Sequence, residues 1–198
     1  SEVDMEAKAV KLARDTAILA NHLRTTLGLA PGDRAAIVMA NGPEYALVMQ
    51  ACWHAGVCCV PVNAKLHRKE FEYILGHSGS RVCFATPDKA ETLAGLDGEI
   101  EALERIVATG GADWAALLRG AAMAMAEVAP DDPAWLFYTS GTTGRPKGAT
   151  LSHRNLVSMT MNYFADVDMV EPGDSIVHCA PMSHGSGCYG LPHVARAA

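Results

Sequence analysis

The sequence predicts an α/β fold, a doubly wound and mostly parallel sheet with helices on both faces. Short apolar runs recur along the chain without polar alternation, which is typical of strands that are buried on both faces. Stretches with helical spacing separate these runs, and this alternation favours parallel strands joined by helical crossovers. With 198 residues, 49% of them hydrophobic and 19% charged, the chain has the composition of a globular domain with a sizeable core.

The first helix is predicted over residues 4–27, where Leu12, Leu19 and Leu23 recur at helical spacing and Gly28 supplies a terminator. The next elements follow the same logic, with glycine, asparagine or proline at their ends. Helices are predicted over 43–55, over 67–76 and from Pro87, and strands over 35–40, 57–62, 81–85 and 104–108.

The second half of the chain begins after a short predicted helix at 114–118. The alanine- and proline-rich stretch 120–133 is the best candidate for an internal linker. Beyond it we predict a strand over 134–138, a loop to residue 148, a helix over 152–164 capped by Ser152, a strand over 175–180 and a loop over 181–187.

Charge and hydropathy exclude several classes of protein. The net charge of −6 and the scattered basic residues argue against a nucleic-acid partner. Residues 1–10 are polar and acidic, so they predict no secretory signal, and the longest uncharged stretch, 45–64, contains Pro61 and predicts no integral membrane segment. Six cysteines without a CxxC pair predict reduced, buried thiols. We therefore expect a cytoplasmic protein.

A polar loop after the strand at 134–138 carries the strongest functional signal, YTSGTTGRPKG. Glycines let backbone N–H groups approach an anion, hydroxyls donate further hydrogen bonds, and lysine adds a compact positive charge. Open α/β sheets place ligands at the carboxyl ends of strands, where this loop begins. The residues that indicate a polyphosphate site are Thr139, Ser140, Gly141, Thr142, Thr143, Gly144, Lys147 and Gly148.

The loop is not a Walker A motif, because Lys147 is followed by Gly148 instead of serine or threonine. On composition alone, a surface turn is as consistent with this loop as a phosphate site. Farther along, three histidines and two cysteines between His178 and His193 could suggest zinc. Their spacing matches no structural zinc pattern, so no metal ligand is assigned.

The loop resembles, almost residue for residue, the phosphate-loop signature of the adenylate-forming (AMP-binding) superfamily. That superfamily includes acyl-CoA synthetases, luciferases and peptide-synthetase adenylation domains. LSHRNL at 151–156 is similar to the helix start that follows the loop there, and PMSHGSG at 181–187 resembles the next motif. Upstream, PGD at 31–33, NGPE at 41–44 and VPVN at 60–63 stand in the order seen in acyl-CoA synthetases. The chain is identified as an N-terminal fragment of an acyl-CoA synthetase, or fatty-acid-CoA ligase.

The resemblance implies a two-step reaction with ATP, Mg²⁺ and coenzyme A. A carboxylate attacks the α-phosphate of ATP to give an acyl-adenylate and pyrophosphate, and the thiol of coenzyme A then displaces AMP. The loop would hold the phosphates, and His184, the implied catalytic residue, would border the small-molecule carboxylate. Met182, Gly185 and Gly187 would leave an apolar and roomy wall, which favours a small apolar or fatty carboxylate.

The resemblance also implies parts that residues 1–198 lack, namely the adenine and ribose motifs, the hinge and the C-terminal domain with its lysine. We therefore expect the chain to be the N-terminal portion of an AMP-binding domain, inactive alone, that self-associates through an open sheet edge. Two alternatives stay open. The chain could be a non-catalytic truncated paralogue that acts as an α/β interaction module, or it could come from a luciferase-like or peptide-synthetase adenylating enzyme.

Overall fold

The computed structural model describes residues 2–139 and 145–196. Within them a six-stranded sheet has the order β4-β3-β1-β2-β5-β6. Strands β1 to β5 are parallel, and β6 runs antiparallel to β5 at the edge. The strands are β1 (Arg34–Val38), β2 (Cys58–Pro61), β3 (Ser80–Ala85), β4 (Arg105–Ala108), β5 (Pro133–Thr139) and β6 (Lys147–Ser152).

Helices cover both faces of the sheet, which confirms the predicted fold class. The helices are α1 (Glu2–Thr25), α2 (Pro43–His54), α3 (Arg68–Ser78), α4 (Pro87–Leu93), α5 (Leu96–Glu99), α6 (Ala112–Leu117), α7 (His153–Asp166), α8 (Gly185–Cys188) and α9 (Gly190–Ala195). Ala35 and Ile37 of β1 pack in a core with residues of α1, α2 and α6. Ala36 and Val38 pack in a second core with residues of α3, α4 and α5.

Local signals fix the ends of several helices. Ser152 caps α7, because its Oγ accepts from the Asn155 amide at 3.3 Å while Asn155 Oδ1 accepts from the Ser152 amide at 2.9 Å. This capping box confirms the predicted start of that helix. At the end of α3, Gly79 has a φ of 61°, and a Cβ there would lie 2.6 Å from Arg34 Nη2. The left-handed turn at this position favours glycine.

Two predicted elements are wrong. Residues 175–180 form no strand but an irregular segment in which Val177 is 80% exposed. The edge of β5 opposite β2 is occupied by β6, so this apolar run has no place beside β5. Conversely, residues 147–152 form β6 instead of the end of a loop, because pairing with β5 organises a segment that has little strand propensity of its own. The predicted loop at 181–187 also runs into the start of α8.

The stretch 120–133 packs along the first two helices before it enters β5. The Met123 amide donates to the Ala17 carbonyl at 3.1 Å, and the Ala126 amide donates to the His54 carbonyl at 2.8 Å. His54 Nε2 lies 3.0 Å from the Met123 carbonyl oxygen. Residues 121–129 therefore form a strap without helix or strand, and its role as a domain linker stays a prediction.

Buried thiols lie in strands β2 and β3 and on α2, as expected for reduced cysteines. Cys52, Cys58, Cys59 and Cys83 are buried and free, and burial raises the pKa of Cys58 and of Cys83 to about 12. Cys179 is exposed, contrary to the expectation of apolar surroundings, because the strand expected around it does not form. No helix in the described part of the chain combines the length and the apolar character that crossing a bilayer requires.

Candidate functional site

The two ends of the glycine- and hydroxyl-rich loop meet at the carboxyl end of β5. Thr139 pairs with Lys147, and Tyr138 pairs with Gly148, in the antiparallel register of β5 and β6. Thr139, Lys147 and Gly148 are exposed there, while predicted site residues 140–144 lie outside the described residues. The described stems of the predicted loop thus lie at the carboxyl edge of the parallel sheet, where ligands of open α/β folds bind.

Helix α3 contacts both stems of this loop. The Tyr138 hydroxyl lies 2.7 Å from His77 Nδ1, and the His77 ring stacks on Tyr73 with centroids 5.3 Å apart. The Tyr73 hydroxyl donates to the Pro146 carbonyl at 3.3 Å, and the Arg145 guanidinium lies 5.8 Å from the centre of the Tyr73 ring. Tyr73 and His77, one helical turn apart, therefore connect the strand that enters the loop with the segment that leaves it.

Burial raises the pKa of Tyr138 to about 12, so its hydroxyl stays protonated at neutral pH and can donate a hydrogen bond. Sequence reasoning did not assign Tyr73 or His77 to the site. The available signal was the pair of ring-bearing residues four positions apart on one helix. Such a pair shares a helix face, but only the tertiary structure shows what that face contacts.

Gly148 has a packing reason to be glycine. A Cβ at this position would lie 3.1 Å from Leu136 Cδ1 and 3.2 Å from Tyr138 Cζ, which is tighter than an ordinary contact. Because the Tyr138 ring is held through its hydroxyl, it has little room to move away. Gly148 therefore permits close pairing of the two strands at the loop, whatever it contributes to a ligand.

The second motif reaches the same end of β5 through His184. The His184 ring packs edge-on against Phe137, with centroids 5.5 Å apart and an interplanar angle of 89°. Phe137 precedes Thr139 by two residues, so the two predicted motifs converge on one strand end. The His184 backbone begins α8, and its Nδ1 lies 2.9 Å from Ser183 Oγ.

The expected roomy wall is smaller than the sequence suggested. Met182 is 5% exposed and packs in the core, and a Cβ on Gly187 would lie 2.1 Å from the Met182 carbonyl oxygen and 3.2 Å from Trp135 Cη2. Only Gly185 of the three has open space around it, with nothing within 4 Å of a Cβ there. Gly187 thus closes a tight turn, and only Gly185 can leave room for a ligand.

A metal centre built from side chains is not seen in the part of the chain that the structure describes. Residues 2–139 and 145–196 contain no group of three or more His, Cys, Asp or Glu side chains that could hold an ion. His178 Nδ1 instead lies 2.9 Å from Ser186 Oγ, and Cys179 is exposed.

Comparison with known proteins identifies the family to which the sequence is similar. Residues 10–196 match the family model for AMP-binding enzymes. Feruloyl-CoA synthase from an Amycolatopsis species is 37% identical over 185 residues, covering 89% of this chain and 34% of that protein. Benzoate–CoA ligase from Thauera aromatica is 31% identical over 170 residues, covering 83% and 32%.

Solved structures agree with the fold. The N-terminal domain of FACL13 from Mycobacterium tuberculosis superposes with a TM-score of 0.81 at 26% identity, over 96% of this chain and 47% of that one. Apo MatB from Rhodopseudomonas palustris gives 0.81 at 27% identity, over 94% and 37%. The chain spans about a third of the length of the curated relatives it matches.

Proposed function

Because this chain belongs to the family of AMP-binding enzymes, we propose that it is the N-terminal part of an ATP-dependent carboxylate–CoA ligase. One observation carries this proposal above all: the phosphate-loop stems and His184 converge on the carboxyl end of β5. The similarity to a feruloyl-CoA synthase and a benzoate–CoA ligase supports it.

The proposed reaction has two steps. A carboxylate oxygen forms a bond to the α-phosphorus of ATP, the bond from that phosphorus to the bridging oxygen breaks, and pyrophosphate leaves with the electron pair. The thiolate of coenzyme A then attacks the acyl carbon, and AMP leaves. Both steps depend on positioning and on neutralisation of negative charge, which a preorganised phosphate site supplies.

Thr139 and Lys147 are the described residues to which we assign phosphate contacts. Both are exposed, and their pairing brings a hydroxyl and an ammonium to the mouth of the same loop. The roles proposed for Ser140 to Gly144 are the backbone and hydroxyl contacts implied by their composition. The described stems offer a hydroxyl and no carboxylate cluster, a donor set that suits Mg²⁺ carried mainly by the phosphates of ATP.

His184 is assigned to the carboxylate side of the site. The contact of Nδ1 with Ser183 and the packing on Phe137 fix the ring, so we assign the proposed carboxylate contact to Nε2. The open space at Gly185 and the aromatic acids named for the two relatives favour an apolar carboxylate. The test is thioester formation by the complete gene product with aromatic and fatty carboxylates. Adenylation without transfer to coenzyme A would instead support a luciferase-like or peptide-synthetase enzyme.

We further propose that residues 1–198 alone do not catalyse the reaction and that activity requires the complete protein. We also propose that the complete protein acts in the cytoplasm. Two or three charge-assisted hydrogen bonds contribute about 1.5–3 kcal/mol each, whereas association costs about 4–15 kcal/mol. ATP should therefore bind this chain with a Kd above about 1 mM, measured by titration calorimetry. Thioester formation by the purified chain would contradict this proposal, and a complete gene product without any adenylation would favour the interaction module.

Self-association of the chain is proposed from its exposed strand edge. Within the described sheet, β6 is an edge strand, and Val157 and Met161 are 62% and 61% exposed on the helix that follows it. Unpaired strand edges and apolar patches favour association between copies. Sedimentation velocity should show a mass that rises with concentration across the micromolar range, and a monomer throughout would contradict the proposal.

A further inference from the structure

The side chain of Asn41 makes three hydrogen bonds to the segment that precedes His184. Its Nδ2 donates to the carbonyls of His178 and Ala180, at 3.1 and 2.9 Å. Its Oδ1 accepts from the amide of Met182 at 2.8 Å. The side-chain amide of Asn41 therefore bonds the backbone of three alternate residues, His178, Ala180 and Met182. They belong to an irregular segment more than 130 residues away in the sequence.

These three hydrogen bonds connect the irregular segment 175–182 to the sheet. The segment forms no strand in the described structure, so its backbone groups lack the ladder that a sheet would supply. Backbone N–H and C=O groups need partners wherever they are not hydrated. Asn41 stands three residues beyond the end of β1, at the carboxyl edge of the sheet, and replaces a neighbouring strand for three of those groups.

The position of His184 follows from this anchor. Met182, whose amide Asn41 holds, is buried in the core, and the turn from Met182 to Gly187 is too tight for a side chain at Gly187. His184 lies within that turn, and its ring packs on Phe137. We infer that Asn41 is a positioning residue that holds His184 against the carboxyl end of β5. Its effect on catalysis rests on the proposed function, but its effect on the His184 ring does not.

Asparagine is the residue type that this arrangement requires. Aspartate has the same shape but offers no donor, so Asn41→Asp would place a carboxylate against two carbonyl oxygens. Asn41→Ala removes all three bonds without that repulsion. Asn63 offers a matched control, because it lies just past the end of β2 at the same edge and its Oδ1 accepts only locally, from the Lys65 amide at 3.0 Å.

The test is proton NMR of the His184 ring in the 198-residue chain, with the signal assigned by His184→Gln. Because the His184 ring packs edge-on against Phe137, we expect the ring current of Phe137 to displace the His184 ring signals in the wild type. Asn41→Asp and Asn41→Ala should move them toward those of an exposed histidine, and the Met182 amide should lose about tenfold of its protection from hydrogen exchange. Asn63→Ala should change neither. If Asn41→Asp does not fold, Asn41→Ala decides.

Unchanged His184 signals in a folded Asn41→Ala variant would overturn the inference, as would an equal change in Asn63→Ala. In the complete gene product, Asn41→Ala should alter kcat or the KM for the carboxylate while the KM for ATP stays constant. The loss should be smaller in a His184→Ala background, because Asn41 acts through that residue. If neither the wild type nor any variant adenylates a carboxylate, the proposed function is wrong. The NMR result still tests whether Asn41 positions the His184 ring.

Discussion

The hydroxyl of Tyr138 lies 2.7 Å from Nδ1 of His77, and this contact joins the last buried residue of β5 to α3. Thr139, the next residue, is the last residue of β5 and stands at the start of the glycine- and hydroxyl-rich loop. Tyr73, stacked on His77, contacts Pro146 at the other end of the loop. The two described stems of the loop are therefore held by the same helix.

Replacing Tyr138 with phenylalanine removes the hydroxyl and keeps the ring. Because the lost hydrogen bond is partly buried, we expect Tyr138→Phe to lower the free energy of unfolding by about 1 kcal/mol, measured by urea denaturation. In the complete gene product it should also raise the KM for ATP. Tyr189→Phe, at a tyrosine that is 47% exposed, is the matched control. Equal stability losses in the two variants would contradict the anchoring role of the hydroxyl.

The two glycines of the second motif should respond oppositely to alanine. A Cβ on Gly187 would lie 2.1 Å from the Met182 carbonyl oxygen, so Gly187→Ala must displace backbone and should cost about 1–3 kcal/mol of unfolding free energy. Gly185→Ala enters open space and should be neutral or slightly stabilising. Urea denaturation followed by tryptophan fluorescence measures both, because Trp135 lies beside Gly187. A tolerated Gly187→Ala would show that the turn is not as close as described.

The carboxyl group of Asp33 should make the free energy of unfolding depend on pH in the acid range. Burial alone would raise the pKa of Asp33, but hydrogen bonds from the Ala30 amide and from Arg81 outweigh it and hold the pKa below its usual value. A carboxyl group whose folded pKa is depressed stabilises the protein above its unfolded pKa, near 3.9, and loses that contribution as the pH falls through the folded value.

We therefore expect Asp33→Asn to be about 1 kcal/mol less stable than the wild type at pH 7 and to lose less stability between about pH 5 and pH 2. The measurement is thermal or urea unfolding across that range. Asp97→Asn, at an exposed carboxylate, controls for the loss of one negative charge. Parallel pH profiles for Asp33→Asn and the wild type would contradict the assignment.

Lys147 should matter for activity and not for stability. Its side chain is exposed at the start of β6, so Lys147→Ala should leave the free energy of unfolding within about 0.5 kcal/mol. Loss of a charge-assisted contact of about 1.5–3 kcal/mol should lower kcat/KM for ATP about 10- to 100-fold in the complete gene product. Lys69→Ala, which removes an exposed lysine of α3, is the control. An equal effect of the two variants would remove Lys147 from the phosphate site.

Elements with strong local signals could be predicted from the sequence, and those that depend on a distant partner could not. The capping box of Ser152 and the buried runs of β1 to β5 specify their own structure. Strand β6 has a glycine and polar residues, and only its pairing with β5 makes it a strand. The run at 175–180 has the composition of a strand, but it pairs with no strand of the described sheet, and the Asn41 side chain bonds its backbone instead.

The same distinction between local and distant signals applies to the residues of the candidate site. The loop motif and His184 could be proposed as site residues from residue order, since the signal for each lies in a short run of the sequence. Tyr73, His77 and Asn41 could not, because each acts on a segment more than 60 residues away. Helical periodicity places Tyr73 and His77 on one face, yet nothing in the sequence marks which loop that face meets.

The most direct test of the proposed adenylation is carboxylate-dependent exchange of labelled pyrophosphate into ATP by the complete gene product. The exchange reports the first step alone and needs no coenzyme A. We predict exchange with at least one apolar aromatic or fatty carboxylate, and its loss in Lys147→Ala but not in Lys69→Ala. No exchange with any carboxylate by a folded protein, or undiminished exchange by Lys147→Ala, would contradict the proposal that this loop serves ATP-dependent adenylation.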